Sequence, residues 1–188
     1  RAPIGIVFAN GYGFVGQGTV GEVFVFNAAT GQGVTVIGVP PVNAELTASP
    51  DGAYVYLAAQ ANAEVHVIST TTNTVVETIS IGGGSFPTNI AFTNNGTRAY
   101  VTEQNADGVA VIDTATQSVI DHIPVGSRPI DIAVNADDTR AYVTNQISGT
   151  VTVIDLTSNT VIHTIDVGLL PTGVAITPDG KYLYVANQ

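Results

Sequence analysis

Short apolar stretches recur along the whole chain, separated by clusters of turn residues. In residues 127–168 they occupy 130–134, 141–144, 151–154 and 161–167. Val, Ile, Thr and Tyr dominate them, and these side chains favour a pleated, partly buried surface. Between the first and second stretch of successive units lie Ser49-Pro50-Asp51-Gly52, Thr93-Asn94-Asn95-Gly96, Asn135-Ala136-Asp137-Asp138 and Thr177-Pro178-Asp179-Gly180. Asp-Gly and Asn-Gly suit the positive φ of hairpin turns. A second turn separates the third and fourth stretches, as in Asp113-Thr114-Ala115-Thr116-Gln117-Ser118 and Asp155-Leu156-Thr157-Ser158-Asn159-Thr160. No segment carries a helical period, so the pattern predicts an all-β fold.

The pattern is a repeat. Pro129-Ile130-Asp131-Ile132 aligns with Pro171-Thr172-Gly173-Val174, and Ala141-Tyr142-Val143-Thr144 with Leu183-Tyr184-Val185-Ala186, at an offset of 42. The same offset carries Pro87 to Pro129, Tyr100 to Tyr142 and Phe14 to Tyr56. Tyr56 to Tyr100 is 44, with the extra pair at Gly82-Gly83-Gly84. Four antiparallel strands in about 40–45 residues is the pattern of a β-propeller blade. One such sheet leaves both faces wet, and stacking blade on blade buries them. The blades fall at 1–40, 41–84, 85–126 and 127–168, with a partial blade at 169–188, in one propeller region. These about four and a half blades hold eighteen predicted strands. That count overshoots a ring of four blades (about sixteen strands) and falls short of five (about twenty), so an arc of a larger propeller is expected over a five-bladed ring with a thin last blade.

Tyr142-Val143-Thr144-Asn145 spells the motif of the YVTN-repeat β-propeller family, which the chain resembles over essentially its whole length. Tyr100-Val101-Thr102-Glu103 and Tyr184-Val185-Ala186-Asn187 are close variants, and Val111-Ile112-Asp113 and Val153-Ile154-Asp155 fit as well. The first blade departs most, with a shorter first hairpin turn and Phe14 in place of the tyrosine. The resemblance implies a seven-bladed propeller of the kind found in surface-layer-like and secreted proteins, in lactonase-like enzymes and beside redox enzymes. It specifies a fold far more strongly than an activity.

Charge narrows the partners. Five Lys and Arg stand against 15 Asp and Glu, a net charge of −10. Such a surface repels phosphate backbones and anionic lipids, which argues against nucleic acid. No apolar run approaches the length of a membrane helix, so membrane insertion is not expected. Cysteine is absent, which removes disulfides and thiolate chemistry. Scarce lysine with abundant Thr, Asn and Gly points to an extracytoplasmic setting, secreted, periplasmic or at the cell surface. The chain opens at Arg1-Ala2-Pro3 with neither an initiator Met nor a signal peptide, which reads as a processed protein or a piece of a longer one.

Candidate chemistry is sparse. Gly11-Tyr12-Gly13-Phe14-Val15-Gly16 matches a dinucleotide fingerprint, but β pattern follows where a helix is needed, and the repeat places Gly11 and Gly13 in a hairpin turn. His66 lies on a third strand, and His122 and His163 on outer strands in columns of opposite parity, so they cannot share a metal within a blade. Asp137 and Asp138 read as turn formers, and Asn95-Gly96-Thr97 is a formal glycosylation sequon on a tight turn. Loops 17–22, 60–64, 104–108, 146–150 and 82–86 vary most, and the topology brings them to one face, at the channel mouth. Two polar columns end there: Gly5, Glu45, Asn89, Asp131, Gly173, and Gln17, Ala59, Glu103, Asn145, Asn187. Glu45, Asn89, Asp131, Glu103 and Asn145, with Arg128 as the cation, are therefore the candidate ligand-binding residues, set against a role in satisfying neighbouring blade backbones.

No catalytic residue, metal or cofactor is assigned. The expected function is a binding or cell-surface scaffold without catalysis of its own. Its partner is a protein, glycan or polar small molecule at the channel-mouth face, and open blade edges invite self-association. The alternatives are a lactonase-like hydrolase using Glu45 and Asp131 with a divalent ion, and an accessory propeller of a redox enzyme.

Overall fold

The computed structural model describes residues 3–18, 20–40 and 45–188. Arg1, Ala2, Thr19 and residues 41–44 lie outside them, and with them the reading of the chain's opening and one position of the 17–22 loop. Among the described residues, eighteen strands form five antiparallel sheets, and a single 3₁₀ turn at Gln60–Asn62 is the one helical element. The chain divides into two compact units, Arg1–Ile90 and Ala91–Gln188.

The first unit holds two four-stranded sheets. The first is β1 (Pro3–Ala9), β2 (Tyr12–Gln17), β3 (Glu22–Asn27) and β4 (Gly33–Gly38), and the second is β5 (Leu46–Ala48), β6 (Tyr54–Ala59), β7 (Glu64–Ser69) and β8 (Thr74–Ser80). In each, neighbours in sequence are neighbours in space. Asn10 and Gly11, both at positive φ, make the two-residue turn that shortens the first hairpin. Phe14, Val23, Val25 and Ile37 pack against Leu46, Val55, Leu57 and Ile68 of the second sheet. Fully burying a side chain of this size stabilises by about 1.5–3 kcal/mol, so this contact holds the unit together.

The second unit repeats the plan. β9 (Pro87–Phe92) spans the division and heads a sheet with β10 (Arg98–Glu103), β11 (Gly108–Asp113) and β12 (Ser118–Pro124). β13 (Pro129–Val134), β14 (Arg140–Asn145), β15 (Thr150–Asp155) and β16 (Thr160–Asp166) form the next, and β17 (Pro171–Ile176) pairs with β18 (Leu183–Asn187). Tyr100, Val109, Val111 and Ile123 pack against Ile132, Ala141, Val143 and Ile154. Tyr100 and Ala141 occupy adjacent columns of the repeat, so facing sheets present opposite faces to one core. All four complete sheets carry a register shift between third and fourth strands, at Val25/Phe26, Val67/Ile68, Val111/Ile112 and Val153/Ile154. A bulge at a fixed place bends every outer strand alike and raises its twist.

Gly13 corrects the sequence reading. It lies within β2, not in the hairpin turn, and a Cβ there would collide with the Phe26 ring. The glycine fingerprint is therefore a strand interrupted for an aromatic side chain, with no helix after it.

The recurring tyrosine column has a defined task in the second unit. The Tyr100 hydroxyl donates to Asn159 Oδ1 at 3.1 Å, and Asn159 sits at φ +53 in the β15–β16 turn. In the first unit the equivalent pair is Phe14 and Asn73, and Asn73 Oδ1 is buried without a hydrogen-bond partner. Phe14→Tyr should therefore raise stability by about 1 kcal/mol, and Tyr100→Phe should lower it by a similar amount. Urea denaturation midpoints check both, and a less stable Phe14→Tyr protein would refute the assignment.

Candidate functional site

The inner-strand column is brought together strand to strand, and its polar groups are engaged there. In the first unit Asn89 Nδ2 donates to Glu45 Oε2 at 2.5 Å. A Cβ on Gly5 would stand 3.8 Å from Glu45 Cγ, so the column continues onto β1 without a side chain. The adjacent Thr47 hydroxyl donates to the Ile90 carbonyl at 2.9 Å. In the second unit Asp131 Oδ2 accepts the Val174 N–H at 2.8 Å, and Oδ1 accepts its own neighbour's N–H, from Ile132, at 2.9 Å. Asp131 thus brackets β13 to β17. Burial pushes its carboxyl above the ordinary value of 3.8, and the two backbone N–H groups only partly offset this.

The column at the ends of the second strands is engaged in the same way, except that the side-chain oxygens of Gln17 and Asn145 are buried without a hydrogen-bond partner. Glu103 is 3% exposed, and its Oε2 lies 2.9 Å from Nδ1 of the half-exposed His122. Gly108 stands opposite Glu103 in register and leaves room for the carboxylate, since a Cβ there would come within 3.1 Å of Oε2. Asn145, fully buried, donates through Nδ2 to Thr150 and Thr152 at 3.1 and 2.8 Å. Gly126 packs on the Asn145 amide, where a Cβ would come within 2.7 Å. Asn187 Nδ2 donates to the Val167 carbonyl at 2.7 Å.

Arg128 is held by its backbone. Its N–H donates to Asp107 Oδ1 at 2.8 Å and its carbonyl accepts from Gln146 at 2.9 Å. Its φ of +59 is left-handed, as is that of Phe86 and Leu170, the residues preceding Pro87 and Pro171. Such a conformation persists only where the surroundings fix it. The Ser127 N–H donates to Ser148 Oγ at 2.7 Å, and Ile147 N–H to the Ser127 carbonyl at 3.2 Å. These bonds gather loops 104–107, 125–128 and 146–149 of the second unit on one face. That face presents Ile147, 65% exposed, and the next blade link adds Leu169, 81% exposed.

Several roles escaped the sequence. Asp138 is more than a turn former: its carboxylate accepts the N–H groups of Asn94 and Asn95, at 2.6 and 3.0 Å, joining two blades. Asn95 of the sequon accepts from the Thr93 and Thr97 hydroxyls and the Thr97 N–H within its own turn. Buried His66 meets Thr78 at 3.0 Å, and desolvation holds its imidazole below the usual value. A comparison of what stands opposite each position, blade by blade, would have flagged Glu103, because a glycine, Gly108, stands opposite it and leaves space toward the neighbouring strand that carries His122. No group of three His, Cys, Asp or Glu able to hold a metal occurs among the described residues, nor is any helix there long and apolar enough to cross a membrane.

Comparison with known proteins agrees on architecture. A family model described as a YNCE-like beta-propeller matches residues 25–180. A chain of Kuenenia stuttgartiensis hydrazine synthase is similar at 23% identity and a TM-score of 0.89, covering 97% of this chain and 55% of that one. A functionally unknown Desulfotomaculum acetoxidans protein is similar at 18% identity and 0.86, covering 99% and 63%. A candidate 6-phosphogluconolactonase from Bacteroides fragilis gives 20% and 0.82, covering 97% and 62%. The chain thus spans 55% to 63% of the length of these structures. None of the curated proteins compared matches it.

Two outcomes follow from the columns. His122→Ala leaves the buried Glu103 carboxylate without its partner and should cost about 1–3 kcal/mol, whereas His163→Ala, on the exposed β16, should change stability by less than about 0.5 kcal/mol. Equal costs in urea denaturation would refute the pairing. Because the folded pKa of Asp131 is raised, its contribution to stability is whole below 3.8 and is lost as pH rises through the folded value. Asp131→Asn removes that titration, so the variant should gain on the wild type as pH rises across this window. A difference that stays flat from pH ~3 to ~7 would count against it.

Proposed function

The chain belongs to the YNCE-like β-propeller family, and from that premise we propose that it works as an extracytoplasmic binding scaffold without catalysis of its own. The observation that carries this reading is the fate of the candidate residues. Glu45, Asn89, Asp131, Glu103 and Asn145 all bond to neighbouring strands or blades, which is the work of a frame. Groups that must also bind a proton, a metal or a substrate keep an open lone pair or donor toward a cleft. Binding then falls to the loops. In the second unit, backbone hydrogen bonds fix loops that present the exposed side chains of Ile147, Leu169 and Arg128, apolar groups and a cation on a chain of net charge −10. A protein partner with apolar groups and an acidic neighbour fits these side chains best.

The lactonase-like alternative draws on one structural neighbour, and electrostatics weigh against it. A phosphorylated sugar lactone is anionic, and this chain has five Lys and Arg in all and a net charge of −10. The two readings separate in one assay. The chain should leave the spontaneous hydrolysis of 6-phosphogluconolactone and gluconolactone unchanged, with or without added divalent ion. Acceleration that disappears in Asp131→Asn would establish the hydrolase. In parallel, retention of a protein partner should be lost in Ile147→Ser/Leu169→Ser while the unfolding midpoint stays put.

A further inference from the structure

One level of the repeat carries an imidazole in two sheets and none in the next. In the second sheet it is His66, opposite Thr78 and 3.0 Å from its hydroxyl. In the third sheet it is His122, opposite Ala110 and 2.9 Å from Glu103 Oε2. At successive offsets of 44 and 42 these pairs become Thr152 opposite Thr164 in the fourth sheet. Two short side chains leave a cavity of about 300 Å³ there, lined by Ser148, Thr150, Thr152 and Thr164 and closed on one side by Pro124 and Val125.

The hydroxyl groups of this cavity are set up as donors. Ser148 Oγ accepts the Ser127 N–H at 2.7 Å, and Asn145 Nδ2 donates to Thr150 and Thr152 Oγ1 at 3.1 and 2.8 Å. Each of the three oxygens thus accepts from an N–H, and none of the three O–H groups has an acceptor among the described residues. The Asn145 amide that aligns two of them is fully buried, and its Oδ1 has no hydrogen-bond partner. No charged side chain lines the cavity among the described residues, and Asp166, opposite Thr150 in the register, disfavours an anion.

Free O–H donors beside an apolar wall call for a neutral group that is an acceptor and carries a small apolar part. A carbonyl oxygen takes two O–H donors on its two lone pairs. An acetamido group adds a methyl, and it is planar like the imidazole found at this level in the other sheets. A plain sugar hydroxyl fits less well, because it brings a donor of its own to a place already rich in donors. We propose that this cavity binds the acetamido group of a neutral N-acetylated amino sugar. Its carbonyl accepts from Thr150 and Thr152, and its methyl packs on Pro124 and Val125. The sugar ring lies over the exposed Ser148 and Thr164, whose hydroxyls suit ring hydroxyls. The site is separate from the protein partner of the loop face and does not depend on it.

The probe is methyl N-acetyl-β-glucosaminide, titrated into the whole chain beside methyl β-glucoside, which carries a hydroxyl in place of the acetamido group. The first should shift the backbone amide signals of Gly126, Thr150 and Thr152 saturably, with a Kd of about 1 mM for a ligand of this size, and the second should not. Thr152→Val keeps the side-chain shape without the donor and should weaken binding about fivefold. That change also takes a partner from Asn145, so Thr164→His is the second variant. It restores the imidazole of the third sheet on the exposed β16 and should abolish binding while the urea midpoint stays put. The proposal is overturned if the N-acetylated sugar does not saturate, if the plain glucoside binds as tightly, or if either variant binds as the wild type does. A peptide carrying Nε-acetyllysine that binds more tightly than the sugar also overturns it, because the two share the acetamido group and not the ring.

Discussion

A four-stranded sheet with apolar side chains on both faces cannot be dry by itself, and every other feature of this protein follows from that. Phe14, Val23 and Val25 find Leu46, Val55 and Leu57; Tyr100, Val109 and Val111 find Ile132, Ala141 and Val143. Within each unit, facing sheets present opposite faces to one core. The repeat of 42 residues is the sequence form of that demand. The bulge shared by all four complete sheets is its geometric form, because sheets that stack repeatedly must bend alike.

Polar side chains inside such a stack have little freedom of role. A buried carboxylate or amide must find partners or be costly, and the nearest partners are the backbone and side chains of the next strand. Asp131 takes the Val174 N–H, Asn187 the Val167 carbonyl, Glu103 the His122 ring. The variety of these residues along one column, acid in one blade and amide or glycine in the next, follows from the same constraint. Each is matched to its local neighbour, as Glu103 is matched to Gly108 and Asn145 to Gly126. Along this column the pairing, and not residue type alone, sets what each side chain holds.

The fold was legible because it is written many times over. Strand spacing, Asx-Gly turns and the tyrosine column each recur, so an error in one unit is corrected by the next. The glycine run at Gly11 and Gly13 misled because it occurs once: only the position of Phe26 shows that Gly13 makes room for a ring within a strand. The positions of the polar columns were legible from the repeat, whereas most of their partners were not. Glu103 meets His122 across 19 residues and Asp131 meets Val174 across 43, and both separations depend on how the strands pair and the blades stack. Asp138 shows the same limit. Its own turn explains its residue type, while its contacts with Asn94 and Asn95 lie in another blade.

Where the frame fixes backbone but not side chain, the repeat leaves room for specificity. The residue before the first-strand proline adopts a left-handed φ in three successive blades, as Phe86, Arg128 and Leu170. An aromatic, a cation and an aliphatic side chain accept the same strained backbone, so the strain belongs to the blade link and not to the residue. In the second unit it is imposed by bonds that recur, Gln146 to the Arg128 carbonyl and Gln188 to that of Leu170. Neither bond involves the side chain. The stack therefore constrains the backbone at this position and leaves the side chain unconstrained by these bonds. The binding scaffold proposed for this protein would therefore draw its specificity from such positions, outside the hydrogen-bonded columns that hold its sheets together.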